Sequence, residues 1–295
     1  MKNFAGAIAH GAKILLKITR SKAVSRLESE SLMVHASGLT REKLYMSLAG
    51  PVPVRTMKKF TALIGKRKLR VPFQLLTGRA SFYGRDFKTA KGVLIPRQDS
   101  EALIDAVISL RALIPANSNA ADCGAGSGIL PVTLLKETDI FSKFYCFDTS
   151  SRAIKLCGEN GALYGVSDRM ELLKGDFFRL AARLSLKFSL IVSNPPYIKN
   201  SALKGLQKEV LYDPVSALSD GADGYTFYRK FASLSADLLK KEGFIAVEIG
   251  DKMGPRVKEI FTGAGWKTRS SFNDTSGKER AIVFSPPASA QIFKV

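Results

Sequence analysis

From Asp99 onward, short apolar runs alternate with stretches of helical periodicity. Asn119–Cys123, Lys143–Phe147, Met170–Lys174, Ser189–Ser193 and Phe244–Ile249 read as strands. Helices fit at Leu130–Glu137, Ser151–Leu163, Tyr225–Lys240 and Gly254–Ala264. Such alternation predicts an α/β fold built on a doubly wound, mostly parallel sheet. Two late runs, Lys267–Phe272 and Ala281–Phe284, are joined by too few residues for a crossover helix. They predict an antiparallel hairpin at one edge, which brings the sheet to seven strands.

The first 78 residues follow a helical period throughout. Phe4, Ile8, Ala12, Leu15 and Leu16 share one helix face, with Lys13 and Lys17 beside it. Leu32, Met33 and Ala36 mark a second helix. Thr40 with Lys43–Ala49 marks a third, ending before Gly50-Pro51, and Arg55–Ile64 a fourth, ending at Gly65. Residues 80–96 alternate aromatic and polar positions around two glycines and predict a hairpin. The expected organisation is a small N-terminal helical domain over 1–78, a β-hairpin linker over 79–96, and an α/β domain over 97–295.

Charge sharpens that division. Residues 1–91 hold 19 Lys and Arg against four acids, or +15, while the remaining 204 residues carry only +4. A basic module of this kind suits an acidic protein face, nucleic acid or an anionic surface, and by itself selects none of them. The first 27 residues contain no acid, a trait of organelle transit peptides, yet their stripe reads as the first helix of the bundle. Three scattered cysteines and two histidines supply neither a disulfide framework nor a metal site. The expectation is a cytoplasmic monomer, without a membrane span, since no run of 18 apolar residues occurs.

Candidate chemistry gathers where the strands end. Asp122-Cys123-Gly124-Ala125-Gly126-Ser127-Gly128 follows the first strand of the sheet and opens a helix, as a ligand-approaching turn requires. Asp148 ends the next strand, 24 residues after Gly124, where an acid can bond both hydroxyls of a ribose. Gly175-Asp176-Phe177 closes a third strand beside the same crevice. No Lys-Ser/Thr follows the glycines, which excludes a P-loop nucleotidase. Leu190-Ile191-Val192-Ser193 then runs into Asn194-Pro195-Pro196-Tyr197. The prolines fix the turn and leave carbonyls without competing donors, Asn194 adds a side-chain acceptor and Tyr197 an aromatic face. Two acceptors and a flat wall suit a planar –NH₂ group, such as a carboxamide or an exocyclic amine.

Together these segments resemble the S-adenosylmethionine-dependent amino-methyltransferases of the Asn-Pro-Pro-Tyr class. The flanks resemble, more narrowly, the protein-(glutamine-N5) methyltransferases that act on peptide chain release factors. Those flanks are Phe82-Tyr83-Gly84-Arg85-Asp86-Phe87, Val93-Leu94-Ile95-Pro96-Arg97, Asp213-Pro214 with Ala217-Leu218, Asp223-Gly224 with Phe227-Tyr228-Arg229, and Glu248-Ile249-Gly250. The similarity spans about residues 72–285. It implies a class I methyltransferase sheet and S-adenosyl-L-methionine held by Asp122, Gly124, Ala125, Gly126, Gly128, Asp148, Asp176, Phe177 and Asn194. It also implies catalysis by Asn194, Pro195 and Tyr197, with Pro196, Phe82, Tyr83 and Arg97 contacting the acceptor. Gln98-Asp99-Ser100-Glu101 stands where the family usually has Pro-Glu-Thr-Glu, and Asp213-Pro214 replaces its Glu-Pro.

The acceptor implied is the glutamine amide in the Gly-Gly-Gln loop of a class I release factor. Two further acceptors fit the same turn: the glutamine of a ribosomal protein, and the N6 of adenine in DNA or RNA, where Tyr197 would stack on a flipped base. No helix-turn-helix, zinc ribbon or aromatic RNA-binding signature accompanies the basic module, so stable nucleic-acid binding is not expected. Glu248, at the end of a core strand, is a candidate for orienting the Asn194 turn.

Overall fold

A computed structural model describes residues 3–287. The outermost residues of the two expected domains, 1–2 and 288–295, lie outside the described residues. The chain forms two compact units. One takes the chain up to Arg79 together with Gln207–Tyr212, and the other takes Ala80–Leu206 and continues from Asp213.

The first unit is helical: α1 (Phe4–Thr19), α2 (Lys22–Ser37), α3 (Arg41–Met46), α4 (Val54–Lys68) and α5 (Phe73–Thr77). Polar caps start the first three, because Asn3, Ser21 and Thr40 each accept a backbone N–H three residues on. Phe4, Ile8, Leu15, Leu32, Met33, Leu44, Phe60, Leu63 and Ile64 make its core. Ala12 and Leu16 of the predicted stripe are half-buried, and Ala7 and Gly11 take their place against the neighbours. A methyl added at Gly11 would lie 2.8 Å from the Phe60 ring, so that position fits no larger residue without a shift. Helix α4 does not stop at Gly65 as expected. It continues to Lys68, where buried Arg67 meets Glu28 at 2.9 Å and Glu209 at 3.1 Å. An interior glycine costs a helix roughly 1 kcal/mol, so Gly65 alone does not force the helix to end.

In the second unit a hairpin pairs β1 (Arg79–Phe82) with β2 (Arg85–Lys88) through Tyr83-Gly84, both at positive φ. Residues 89–96 form no strand, contrary to a hairpin over 80–96, and run on as a strap towards Arg97. There follow α6 (Glu101–Ile108), β3 (Ser118–Cys123), α7 (Ile129–Glu137), β4 (Phe141–Asp148), α8 (Ser151–Leu163), β5 (Met170–Lys174), α9 (Phe177–Arg183) and β6 (Phe188–Ser193). The chain ends with α10 (Val215–Leu218), α11 (Thr226–Leu234), β7 (Leu239–Glu248), α12 (Gly254–Gly263), β8 (Lys267–Asn273) and β9 (Glu279–Ser285).

The seven-stranded sheet has the order β5-β4-β3-β6-β7-β9-β8. Its first five strands are parallel, and β9 pairs antiparallel with both β7 and β8. Strand β6 is buried along its whole length, as a run without alternation requires. Helix α11 ends at Leu234, well short of Lys240, because Leu239 already pairs with Phe188 in the sheet. Helices α5, α6, α9 and α10 do not show in the sequence pattern. Strand succession reverses between β3 and β6, and a crevice opens at their carboxyl ends, where open α/β sheets bind ligands.

Candidate active site

A cavity of about 270 Å³ lies at this switch point. The glycine loop forms one wall. Gly124 and Ala125 donate backbone N–H groups to the Phe147 carbonyl at 2.9 Å each, which fastens the loop to the end of β4. Gly128, at φ +80°, caps α7, and a Cβ there would meet Cys157 of α8 at 2.8 Å from Sγ and 3.1 Å from Cα. The loop can therefore close only around glycine at this position. Asp148 binds it from the neighbouring strand: Oδ2 accepts from Gly126 N at 3.0 Å and Oδ1 from Ser150 N at 2.8 Å. Gly124, Ala125, Gly126, Asp148, Asp176 and Phe177 all line the cavity. Asp176 also caps α9 by accepting from Arg179 N at 3.0 Å.

Asp122 is placed differently. Its carboxyl is fully buried, does not reach the cavity wall and has no hydrogen-bond partner among the described residues. Burial, then the nearby Asp148 charge, push its pKa well above the ordinary carboxylate range. Gly128 likewise shapes the loop without lining the cavity.

The opposite wall is Asn194, Pro195 and Pro196, directly after β6. Asn194 Nδ2 donates to Ser100 Oγ at 3.1 Å, which occupies the donor end of the amide and leaves Oδ1 as its acceptor. Tyr197 stands behind this wall rather than in it. Its hydroxyl donates to Glu248 Oε1 at 3.2 Å, and burial followed by the Glu248 charge raises its pKa. Glu248 is itself buried, and desolvation pushes its carboxyl up to about 7 against the pull of Ser100 and Tyr197.

The strap over 92–97 forms a third side of the cavity. Arg97 forms an ion pair with buried Asp213, whose other oxygen accepts from Ile95 N at 3.0 Å. Burial raises the Asp213 pKa, and Arg97 opposes that rise. The guanidinium expected to meet the acceptor is thus also the clasp of the strap. Two expected acceptor contacts are corrected. Phe82 is fully buried in the core, and Tyr83 is held at the hairpin tip, its hydroxyl donating to Asp105 at 2.8 Å and its N–H to Glu101 at 2.8 Å. Neither lines the cavity. Hairpin sterics decide this: alternate strand positions face the core, so Phe82 must go in.

Several motif residues acquire mechanical roles. Gly224, at φ +86°, passes so close to the Tyr197 carbonyl that any side chain would collide with it. Phe227 lines the cavity, the Tyr228 hydroxyl donates to the Glu248 carbonyl at 2.8 Å, and Arg229 makes two bonds to Asp223. Ser100, Ile129, Leu130 and Phe178 also line the cavity and were not singled out from the sequence. Phe178 adjoins a motif and could have been found by position. Ser100, quoted from the sequence only where it departs from the family's Pro-Glu-Thr-Glu, gains its role because the turn just ahead of α6 brings it within reach of Asn194.

Residues 99–247 match the family described as Methyltransferase small domain, and residues 7–78 match the PrmC N-terminal domain. Among solved structures, the hMettl16 catalytic domain in complex with MAT2A 3'UTR hairpin 1 has a TM-score of 0.55 at 14% identity, covering 79% of this chain and 83% of that one. That likeness shows the fold. Among curated proteins, the release factor glutamine methyltransferase of Moorella thermoacetica is 37% identical, over 88% of this chain and 90% of its own length. Those of Cereibacter sphaeroides and Bacillus subtilis are 33% and 32% identical, and the alignments cover 91% and 89% of their lengths. A methyltransferase sheet, a helical unit ahead of it and identity at this level along nearly whole chains have one consequence: this chain belongs to the release factor glutamine methyltransferase family.

Proposed function

We propose that the chain transfers a methyl group from S-adenosyl-L-methionine to the side-chain amide nitrogen of the glutamine in the Gly-Gly-Gln loop of class I release factors. It does so as a cytoplasmic monomer, without stable nucleic-acid binding. Asn194 carries the reading: with Nδ2 given to Ser100, the group it offers the cavity is an acceptor, which suits an incoming –NH₂.

The residues at the switch point fit a sulfonium nucleoside. Asp148 supplies acceptors for ribose hydroxyls, Phe177 and Phe178 supply a flat apolar wall for the adenine, and Asp176 supplies an acceptor at its edge. The carboxylates of Asp148 and Asp176 also favour a cation in the cavity. The backbone of Gly124, Ala125 and Gly126 allows close approach, Gly128 lets the loop close against α8, and Asp122 lies buried behind the wall. When bound, the sulfonium supplies an electrophilic methyl and retains the electron pair of the broken carbon–sulfur bond.

An amide nitrogen is a poor nucleophile because its lone pair is delocalised into the carbonyl. Asn194 Oδ1 and the Pro195 carbonyl would accept its two hydrogens and hold the nitrogen in line with the methyl. Positive charge that develops on nitrogen is stabilised by these two oxygens, and the proton shed as the new bond forms is one that they held and passes on to water. Orientation of this kind can contribute up to roughly 7–11 kcal/mol. Pro196 keeps the turn rigid, Tyr197 buttresses it through Glu248, and Arg97 with Asp213 shapes the acceptor's entrance.

The testing experiment uses labelled donor and intact release factor, with glutamine or alanine in the Gly-Gly-Gln loop. Label on the glutamine protein alone is expected. Equal labelling of the alanine variant would contradict the reading.

A further inference from the structure

We propose that Ser100 and Glu248 are positioning residues that set which end of the Asn194 amide faces the acceptor, an inference that rests on the function proposed above. An asparagine amide has nearly the same shape either way round, yet turning it over replaces an acceptor with a donor. Packing alone therefore cannot hold the useful orientation. A polar partner must do so.

Ser100 and Glu248 are each only 1% exposed. Ser100 Oγ receives Asn194 Nδ2 at 3.1 Å, and the Tyr197 hydroxyl donates to Glu248 Oε1 at 3.2 Å. Glu248 Oε2 has no partner at hydrogen-bond geometry among the described residues, and the Ser100 hydroxyl is near enough to hold the carboxyl's pKa down. An ionised carboxylate only accepts. Ser100 receives at Asn194, and a carboxylate beside it would draw the serine proton away from the amide and keep it in that receiving state. Oδ1 of Asn194 is then left to the cavity. A protonated Glu248 could donate to Ser100 and free the serine proton to turn the amide over.

The other charged groups around the carboxyl pull in opposite directions. Arg280 favours the ionised form and is fixed by ion pairs with Asp99 at 2.8 Å and Asp274 at 2.9 Å, while Asp99 opposes it. Tyr228 donates to the Glu248 backbone carbonyl, so it fixes the strand end without competing for the carboxylate.

The test compares Ser100→Ala, Ser100→Thr, Glu248→Gln and the Ala/Gln double variant in the full chain. Ser100→Ala should lower kcat on the order of 10- to 100-fold with KM for release factor and affinity for S-adenosyl-L-methionine changed by less than about threefold. Ser100→Thr, which keeps the hydroxyl, should restore most of the rate. The double variant should be no more than about twofold slower than Ser100→Ala, because both changes act through one amide. Wild-type kcat should fall as pH drops below about 7, and Glu248→Gln should remove that limb. Equal rates for the Ala and Thr variants, multiplying losses, or an unchanged pH profile would overturn the inference. Nuclear magnetic resonance of selectively ¹⁵N-labelled asparagine keeps it separate from the proposed reaction. The Asn194 side-chain amide should be hydrogen-bonded in the wild type and released in Ser100→Ala, whatever the acceptor proves to be. An amide signal indifferent to Ser100→Ala contradicts the inference even in an active enzyme, whereas a wild type inactive on glutamine contradicts the proposed function.

Discussion

Asp148 and Asn194 face one cavity with different duties, and their substitutions should separate. Asp148→Ala removes acceptors for the nucleoside and also frees the Gly126 and Ser150 N–H groups, so affinity for S-adenosyl-L-methionine should fall by about 2–4 kcal/mol in calorimetry. Asn194→Ala should leave that affinity within about twofold and lower kcat at least about 100-fold, since the lost acceptor serves the incoming amide. Glu248 adds a pH signature to stability. Its folded pKa of about 7 lies above the ordinary glutamate value of 4.5, so between the two the folded chain keeps a proton that the unfolded chain releases. Glu248's contribution to stability is thus fully present below pH 4.5 and is lost as pH rises to about 7. Subtracting the Glu248→Gln denaturation free energy from that of the wild type should show a decline of about 3 kcal/mol across this window. A flat difference would contradict the buried, proton-retaining carboxyl. The glycine loop, Asp148 and the Asn194 turn were legible in the sequence because backbone freedom, strand-end acids and paired prolines leave local marks. Ser100 was not, since its importance arises from an element 94 residues away along the chain from Asn194.

At the scale of elements, the glycine loop depends on the fit of α7 against α8. Gly128→Ala combines a positive φ with a methyl 3.1 Å from a backbone atom of α8, and should cost about 2–3 kcal/mol, seen as a lower Tm. An unchanged Tm would show that α8 can yield. Parallel strands were readable because buried apolar runs bounded by turn residues have few alternatives, and β5 and α8 match expectation end to end. Boundaries failed where tertiary contacts override local preference. Helix α4 passes Gly65 and carries Arg67 to two carboxylates, and α11 yields six expected residues to a turn and to strand pairing with Phe188. The strap over residues 89–96 has no period to read, and its course is set instead by Asp213 holding Ile95 and Arg97.

For the whole molecule, the +15 carried by residues 1–91 makes the helical unit the part expected to dock the release factor. Lys58, Lys66 and Lys68 of α4 are exposed. Reversing all three to Glu should raise KM for intact release factor about tenfold or more, leave KM for a short Gly-Gly-Gln peptide unchanged, and be mimicked in part by added salt. Equal effects on both acceptors would contradict docking through this face. Removing the whole unit would be a poorer test, because Gln207–Tyr212 belongs to it and lies inside the chain of the other unit. Among the described residues no helix is long and apolar enough to cross a membrane. The most direct measurement offers class I release factor and adenine-containing nucleic acid together to the wild type and to Asn194→Ala, with labelled S-adenosyl-L-methionine, and maps the label by mass spectrometry. The account predicts label on the amide of the Gly-Gly-Gln glutamine with the wild type and none with Asn194→Ala; label on adenine with none on that glutamine would contradict it.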